Sequence, residues 1–329
     1  MATSMFHGPA IHVSINECIY IYMSLKLGRL STGLLLLGRT SKINNKPAFL
    51  RTRPMSTQRS GHLERTAQEP RDESLLKVRL GSIDQVNERI RLFRLYLESG
   101  PVNFSAGQWL DTYVPDIPKP GGFTITSSPR AAADPKAPYF ELAVQDSPYN
   151  PPAAWLWRSP SEILGSQLQV RVGGSFVFPP NEIPLGEIRR VVFVAGGVGI
   201  NPFASMLGWT AEEACDLDVK VLYASKIPTQ GLNGVLFLER IRAWFREKKL
   251  SGDLKVFATG EPGELEDGSE LEVLRRRLTI QDVREAIAGQ EEDCIVYVCG
   301  PAAMTDELVE GLTRDGGMDK KRVMLEKWW

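Results

Sequence analysis

Between Leu75 and Pro180, apolar and polar residues trade places at every second position. The runs "LLKVRLGSI" and "RIRLFRLYL" show this most clearly, and "GQWLDTYV", "GGFTITSS", "YFELAVQ" and "QLQVRVGGSFVF" continue it. Period-two alternation in short runs broken by Gly and Pro predicts half-buried antiparallel strands, and a series of them predicts a small barrel or sandwich. The exception is "PPAAWLWRSPSEIL", where Pro151 or Pro152 is placed to open a short helix. Past "NEIPLGEIRR" the pattern changes. Strands are predicted at Val191–Ala195, Val219–Ala224, Leu254–Ala258 and Cys294–Cys299, and helices at Pro202–Ala214, Val235–Lys248, Gln281–Gly289 and Ala303–Arg314. Continuous apolar strands separated by amphipathic helices predict a doubly wound parallel sheet. The expected fold class is two-domain β plus α/β: an antiparallel barrel over residues 75–185, then a parallel-sheet domain over 186–329.

Charge changes the picture at the amino end. From Cys18 to Leu63 there is no Asp or Glu, while Lys26, Arg29, Arg39, Lys42, Lys46, Arg51, Arg53 and Arg59 are basic. Arg-rich, Ser-rich and acid-poor composition predicts a mitochondrial transit peptide over residues 1–55, followed by a linker over 56–74. Residues 1–55 carry seven of the 39 Lys/Arg and one of the 40 Asp/Glu, so the remainder has a formal charge of −7. An acidic body argues against nucleic-acid binding. The apolar patches at Ile19–Met23 and Leu34–Leu37 are separated by Lys26, Arg29 and Gly33, which argues against a membrane span. Cys18, Cys215, Cys294 and Cys299 form no C-x-x-C pair, so neither a metal centre nor a disulfide framework is expected.

Candidate chemistry concentrates at two strand ends. In "VVFVAGGVGINPFASML", Gly196, Gly197, Val198, Gly199, Ile200 and Asn201 lie between a strand and a helix expected to open at Pro202. Glycines permit φ > 0 and close backbone approach, and a helix start favours a diphosphate. In "VYVCGPAAMTDEL", Cys299, Gly300 and Pro301 occupy an equivalent place before a helix beginning near Ala302. Carboxyl ends of parallel strands line one crevice, so both turns would face one ligand. The second strand ends at Ser225 and Lys226 with no acid for a ribose, which leaves NAD and NADP both open. His62 is the single histidine after the leader and is expected to lie in a disordered linker, which excludes a histidine-based dehydrogenase.

The combination of G-G-x-G-I-x-P with C-G-P-x-x-M, after a barrel, resembles the ferredoxin–NADP⁺ reductase superfamily. More narrowly, "KPGGFTITSSP", "YNPPAAWLW", "RVGGSFVF", "VAGGVGINP", "CGPAAMTD" and the terminal "LEKWW" resemble the oxidoreductase NAD-binding domain-containing protein family, over about residues 75–329. The resemblance implies a flavin motif at "GGFTITSS". Phe123 stands for the aromatic residue that packs on the flavin, Thr124 for the hydroxyl at its reactive nitrogen, and Ser127 for the following serine. Gly121 replaces the superfamily's phosphate-pairing arginine, which makes FMN, or FAD held by backbone, more plausible than usual. The resemblance also implies that Cys299 faces the nicotinamide, that Glu326 is the terminal acid, and that Trp328 or Trp329 covers the flavin.

Together these readings predict an enzyme that passes hydride from NAD(P)H to FAD or FMN and electrons onward to a separate small-molecule or protein acceptor. Such chemistry depends mainly on positioning. One alternative is a reductase component like cytochrome b5 reductase, and another is a nucleotide sensor or scaffold that has lost flavin. The oligomeric state is not encoded in any motif.

Overall fold

The computed structural model describes residues 61–260, 271–314 and 317–328. The expected transit peptide and the acidic stretch at 261–270 lie outside the described residues.

Six strands form the antiparallel sheet: β1 (Leu76–Asn87), β2 (Ile90–Leu97), β3 (Trp109–Tyr113), β4 (Gly121–Thr124), β5 (Tyr139–Gln145) and β6 (Gln167–Gly173). Their order is β4-β3-β6-β1-β2-β5. An antiparallel bridge between Ile125 and Leu142 joins the end of β4 to β5, and Thr126 N–H donates to the Glu141 carbonyl at 2.8 Å. That bridge closes the sheet into a barrel. One side of the predicted alternation becomes its core, where Val78, Leu80, Phe93, Leu95, Leu110, Phe140 and Val170 are fully buried. Each such side chain contributes about 1.5–3 kcal/mol by leaving water.

Short helices decorate the barrel: α1 (His62–Arg65), α2 (Pro129–Ala132), α3 (Pro151–Leu156) and α4 (Pro160–Ile163). The helix expected over 151–164 is thus two pieces. Pro160 forces Ser159 out of the helical region, to ψ 132°, and the chain restarts there.

The parallel sheet holds β7 (Arg190–Gly196), β8 (Asp218–Lys226), β9 (Ser251–Thr259), β10 (Glu272–Leu274), β11 (Cys294–Pro301) and β12 (Val323–Trp328), in the order β10-β9-β8-β7-β11-β12. Helices α5 (Ile200–Glu212), α6 (Leu238–Arg246), α7 (Ile280–Ile287) and α8 (Ala302–Thr313) accompany it. Both edge strands escape the sequence pattern. β10 has three residues, and β12 is the terminal "VMLEKW". Helix α6 begins three residues later than expected, because Val235, Leu236 and Phe237 are buried in the turn before it and Phe237 adopts φ +59°.

The two sheets share a core. Ala106, Ala143 and Phe178 from the barrel side pack in one apolar cluster with Phe193, Phe203 and Met206. Buried polar contacts fasten the same surface. Asn201 Nδ2 donates to the Ala143 carbonyl at 3.0 Å, and Ser205 Oγ to the Ser127 carbonyl at 2.7 Å. Arg240 grips the Glu141 carboxylate in bidentate fashion at 2.7 and 3.1 Å, a geometry stronger than a single neutral bond.

The segment before β1 corrects a sequence expectation. His62 does not lie in a disordered linker: residues 61–75 form a strap across the outer face of β4, β3 and β6. Strand pairing puts Trp109 beside Thr124, Asp111 beside Gly122 and Arg171 opposite Asp111 on that face. Asp111 is fully buried and is the hub. It takes His62 Nε2 at 2.9 Å, Arg71 Nε at 3.0 Å and Arg171 Nη2 at 2.7 Å. Burial alone would raise its carboxyl, but His62, Arg171 and Arg71 together hold it below the ordinary value. Arg71 also lies over the Trp109 ring at 4.9 Å, and the His62 ring meets Trp109 edge-on at 4.8 Å. A side chain at position 122 has no room, since its Cβ would fall 2.0 Å from the His62 ring.

Candidate functional site: two glycine loops and an adjoining cavity

β7 and β11 are hydrogen-bonded neighbours, with Ala195 opposite Cys299, so the loops that leave them emerge together. A 3-10 turn over Gly197–Gly199 leads directly into α5 at Ile200, and no side chain caps that helix start. Pro202 is the third helical residue and not the first as expected. Its missing N–H is tolerated there because N–H groups throughout the first turn lack intrahelical partners.

The glycines divide into two kinds. A Cβ on Gly199 would sit 2.2 Å from the Cys299 carbonyl oxygen, one on Gly196 2.7 Å from Pro301, and one on Gly300 3.1 Å from Gly196 Cα. These three have no side chain because the two loops touch. Gly197 differs: it adopts φ +56°, is exposed, and has open space in front of it. Of the predicted loop residues it is the one whose backbone a ligand reaches unhindered. Val198 is partly buried beside it, whereas Ile200 is fully buried in the core. Lys226 lies exposed at the end of β8, where Ser225 Oγ donates to its carbonyl at 3.0 Å.

Cys299 and Glu326 face each other across β11 and β12, and Pro301 pairs with Trp328 in the same register. The buried Cys299 thiol donates to Glu326 Oε2 at 3.9 Å, a weak sulfur hydrogen bond. Burial, with the Glu69 carboxylate nearby, pushes the Glu326 carboxyl up to about 8. Glu326 opens onto a cavity of about 680 Å³, a size suited to a cofactor or small substrate. The strap supplies His62, Arg65 and Glu69 to its wall, the barrel supplies Trp109 and Phe176, and Lys320 and Lys321 stand at its rim. Sequence reasoning missed Trp109, Glu69 and the whole strap contribution. The pairing of Trp109 with Thr124, which places them on one face, becomes apparent only once strand register is known.

The flavin motif is brought together only in part. Thr124 is buried, and its Oγ1 has no hydrogen-bond partner, nor has Asn201 Oδ1. Phe123 points the other way. It pairs with Leu110 on the inward face and packs in the barrel core, so the aromatic residue on the cavity side is Trp109. Ser127 Oγ accepts from Glu141 N–H at 3.1 Å, engaged within the chain. The orphaned hydroxyl suits a flavin ring, but Thr124 is not among the residues that line the cavity. The diphosphate of FAD fits poorly: a Cβ at Gly121 would meet the Phe123 ring at 2.6 Å and Pro152 at 2.9 Å. The adjacent α3 begins with two prolines, which offer no N–H to an anion.

A closed antiparallel barrel followed by a parallel sheet with touching glycine loops is a fold shared with solved ferredoxin reductases. A ferredoxin reductase in carbazole 1,9a-dioxygenase superposes with a TM-score of 0.59 at 18% identity, covering 78% of this chain and 70% of that one. A ferredoxin NADP⁺ reductase from Neisseria gonorrhoeae with bound FAD and NADP gives 0.58 at 15% identity, covering 78% and 100%. Residues 193–310 match the oxidoreductase NAD-binding domain. Oxidoreductase NAD-binding domain-containing protein 1 of Bos taurus is 30% identical over 319 residues, 90% of this chain and 98% of its own length. The chain belongs to that family. Among the described residues, no helix is long and apolar enough to cross a membrane.

Proposed function

We propose that the chain is a mitochondrial NAD(P)H-dependent flavin reductase that hands its electrons to a separate small-molecule or protein acceptor. One observation carries the reading: the Gly197 loop lies against the Cys299–Pro301 turn, and Cys299 pairs across to Glu326, which lines a cavity faced by the barrel. Gly197 and the uncapped start of α5 would hold the nucleotide diphosphate, with backbone N–H groups and the helix dipole as donors. Cys299 and Glu326 would border the nicotinamide. Lys226, exposed at the end of β8, would meet a ribose or its phosphate.

On the barrel side, Thr124 and Trp109 would hold a flavin ring, which when bound supplies a two-electron acceptor able to release electrons singly. The lack of a cation at Gly121 and of N–H groups at Pro151 and Pro152 favours FMN over FAD. The same observation favours a second reading, a nucleotide-binding sensor without flavin. The basic, acid-free stretch from Cys18 to Leu63 supports import into mitochondria.

The test uses purified full chain. Its extracted flavin is identified by chromatography, and NADH and NADPH oxidation is followed with added FMN or FAD. Flavin-dependent turnover supports the enzyme. Nucleotide binding without flavin or turnover selects the sensor, and absence of nucleotide binding overturns both. Terminal sequencing of the organelle form that finds an intact amino end would overturn the import proposal.

A further inference from the structure

The strap places a second carboxylate in the cavity that Glu326 faces. Glu69 is held there by Ser175, whose N–H donates to Glu69 Oε2 at 3.0 Å and whose Oγ donates at 2.6 Å. The strap is fixed in turn by the Asp111 hub and by Arg71, whose Nη1 donates to the Thr66 and Glu69 carbonyls at 2.6 and 3.1 Å. Glu69 therefore sits on a rigid support.

We propose that Glu69 is a positioning residue of the nicotinamide end: sharing the cavity with Glu326 and held there by Ser175, it disfavours a second carboxylate beside Cys299. The inference rests on the reading of Cys299 and Glu326 as that end of the site. Two carboxylates in one partly enclosed space do not ionise together readily, and the one with fewer hydrogen-bond donors keeps its proton. Glu69 has two donors from Ser175, whereas Glu326 has the weak thiol contact.

Other groups face the same space. The strap adds His62 and Arg65, the loop after the barrel adds Glu182, and β11 adds Tyr297, while Cys299 lies behind Glu326. Lys320 and Lys321 come from the turn before β12, and Lys327 from β12 itself. Lys327 is paired with Asp306 outside the cavity. The cations oppose Glu69, yet burial and the Glu69 carboxylate leave Glu326 raised. A protonated Glu326 has a use. Hydride leaving NAD(P)H carries two electrons and one nucleus, producing NAD(P)⁺, and a neutral two-electron acceptor then needs one proton. Glu326 would be placed to supply that proton to a bound acceptor, and its carboxylate would be reprotonated by exchange with bulk solvent.

Infrared spectroscopy of the full chain without added cofactor reads the carboxyl directly, through the C=O stretch of a protonated acid. The wild type should show this band at pH 7 and lose it near pH 8, and Glu326→Gln should lack it. Glu69→Gln should move the midpoint down, leaving the part of the shift that burial causes. Ser175→Ala, which removes the hydroxyl donor and leaves the backbone one without touching the hub, should move it in the same direction by a smaller amount. Should Glu69→Gln fail to fold, Ser175→Ala decides alone. A midpoint unchanged in the folded variant, or no Glu326 band in the wild type, would overturn the proposal. NAD(P)H binding is measured in parallel: its absence in the wild type overturns the functional reading while leaving the carboxyl pair to be judged by its own titration.

Discussion

Replacing Asp111 with alanine removes one carboxylate and strands three cationic or hydrogen-bonding groups. His62, Arg71 and Arg171 have side chains only 10%, 14% and 25% exposed, so water cannot easily take the place of Asp111. Removing one member of a buried ionic cluster costs about 3–5 kcal/mol, most of it from partners left buried and unpaired. In a body of this size that loss lowers the melting temperature by about 10 °C. The strap should come loose first, since two of the three partners belong to it. Limited trypsin digestion should then cut at Arg65 and Arg71 well before the barrel, giving a fragment that mass spectrometry identifies. pH adds a second signature. Asp111 is held below its ordinary value, so its contribution is present above about pH 4 and is lost as pH falls through the lower folded value. Asp111→Asn should flatten that acid limb. An Asp111→Ala variant within 1 kcal/mol of wild type in urea, with an undigested strap, would refute the hub.

Gly199→Ala should destabilise the chain by about 1–3 kcal/mol through overpacking against the Cys299 carbonyl and should weaken NAD(P)H binding, measured by quenching of protein fluorescence. Thr124→Val deletes a hydroxyl that has no partner, so urea unfolding of cofactor-free protein should show stability unchanged or higher by about 1 kcal/mol, while flavin reduction in stopped flow slows. Glu326→Gln should remove a pH dependence: the raised folded carboxyl stabilises fully below about pH 4.5 and loses that contribution as pH rises through about 8. Melting curves between pH 5 and 8 check this. Lys226→Glu should weaken NADPH more than NADH, and equal losses in a binding titration would place Lys226 away from the 2′-phosphate.

How far the sequence carries the fold depends on the length of each periodic signal. β1, β2 and β7 have seven or more residues of clear pattern, and the glycine loops are anchored to such strands. β10, with three residues, offers too short a run for periodicity to register. The strap was invisible for another reason. Its attachment rests on Asp111, forty residues beyond Arg71, and on a tryptophan, and neither leaves a repeating pattern. Phe123 shows the limit of motif matching. It falls where the motif has its aromatic residue, but register with Leu110 turns it into the barrel core. The orphaned Thr124 hydroxyl needed a three-dimensional count of partners. Gly121 and Gly122 looked like a lost arginine and its neighbour, whereas packing shows both positions crowded by Phe123, Pro152 and His62.

The contact between the two glycine loops bears on how this site can be re-engineered. Gly199 is shaped against the Cys299 backbone and Gly196 against the Pro301 ring and the Met304 side chain, so neither loop is a self-contained cassette. A loop transplanted alone from another reductase would meet a neighbour cut for a different partner. Grafts that exchange residues 196–201 and 299–301 as a matched pair should therefore succeed where single-loop grafts fail, and natural changes in one loop are expected to co-vary with changes in the other.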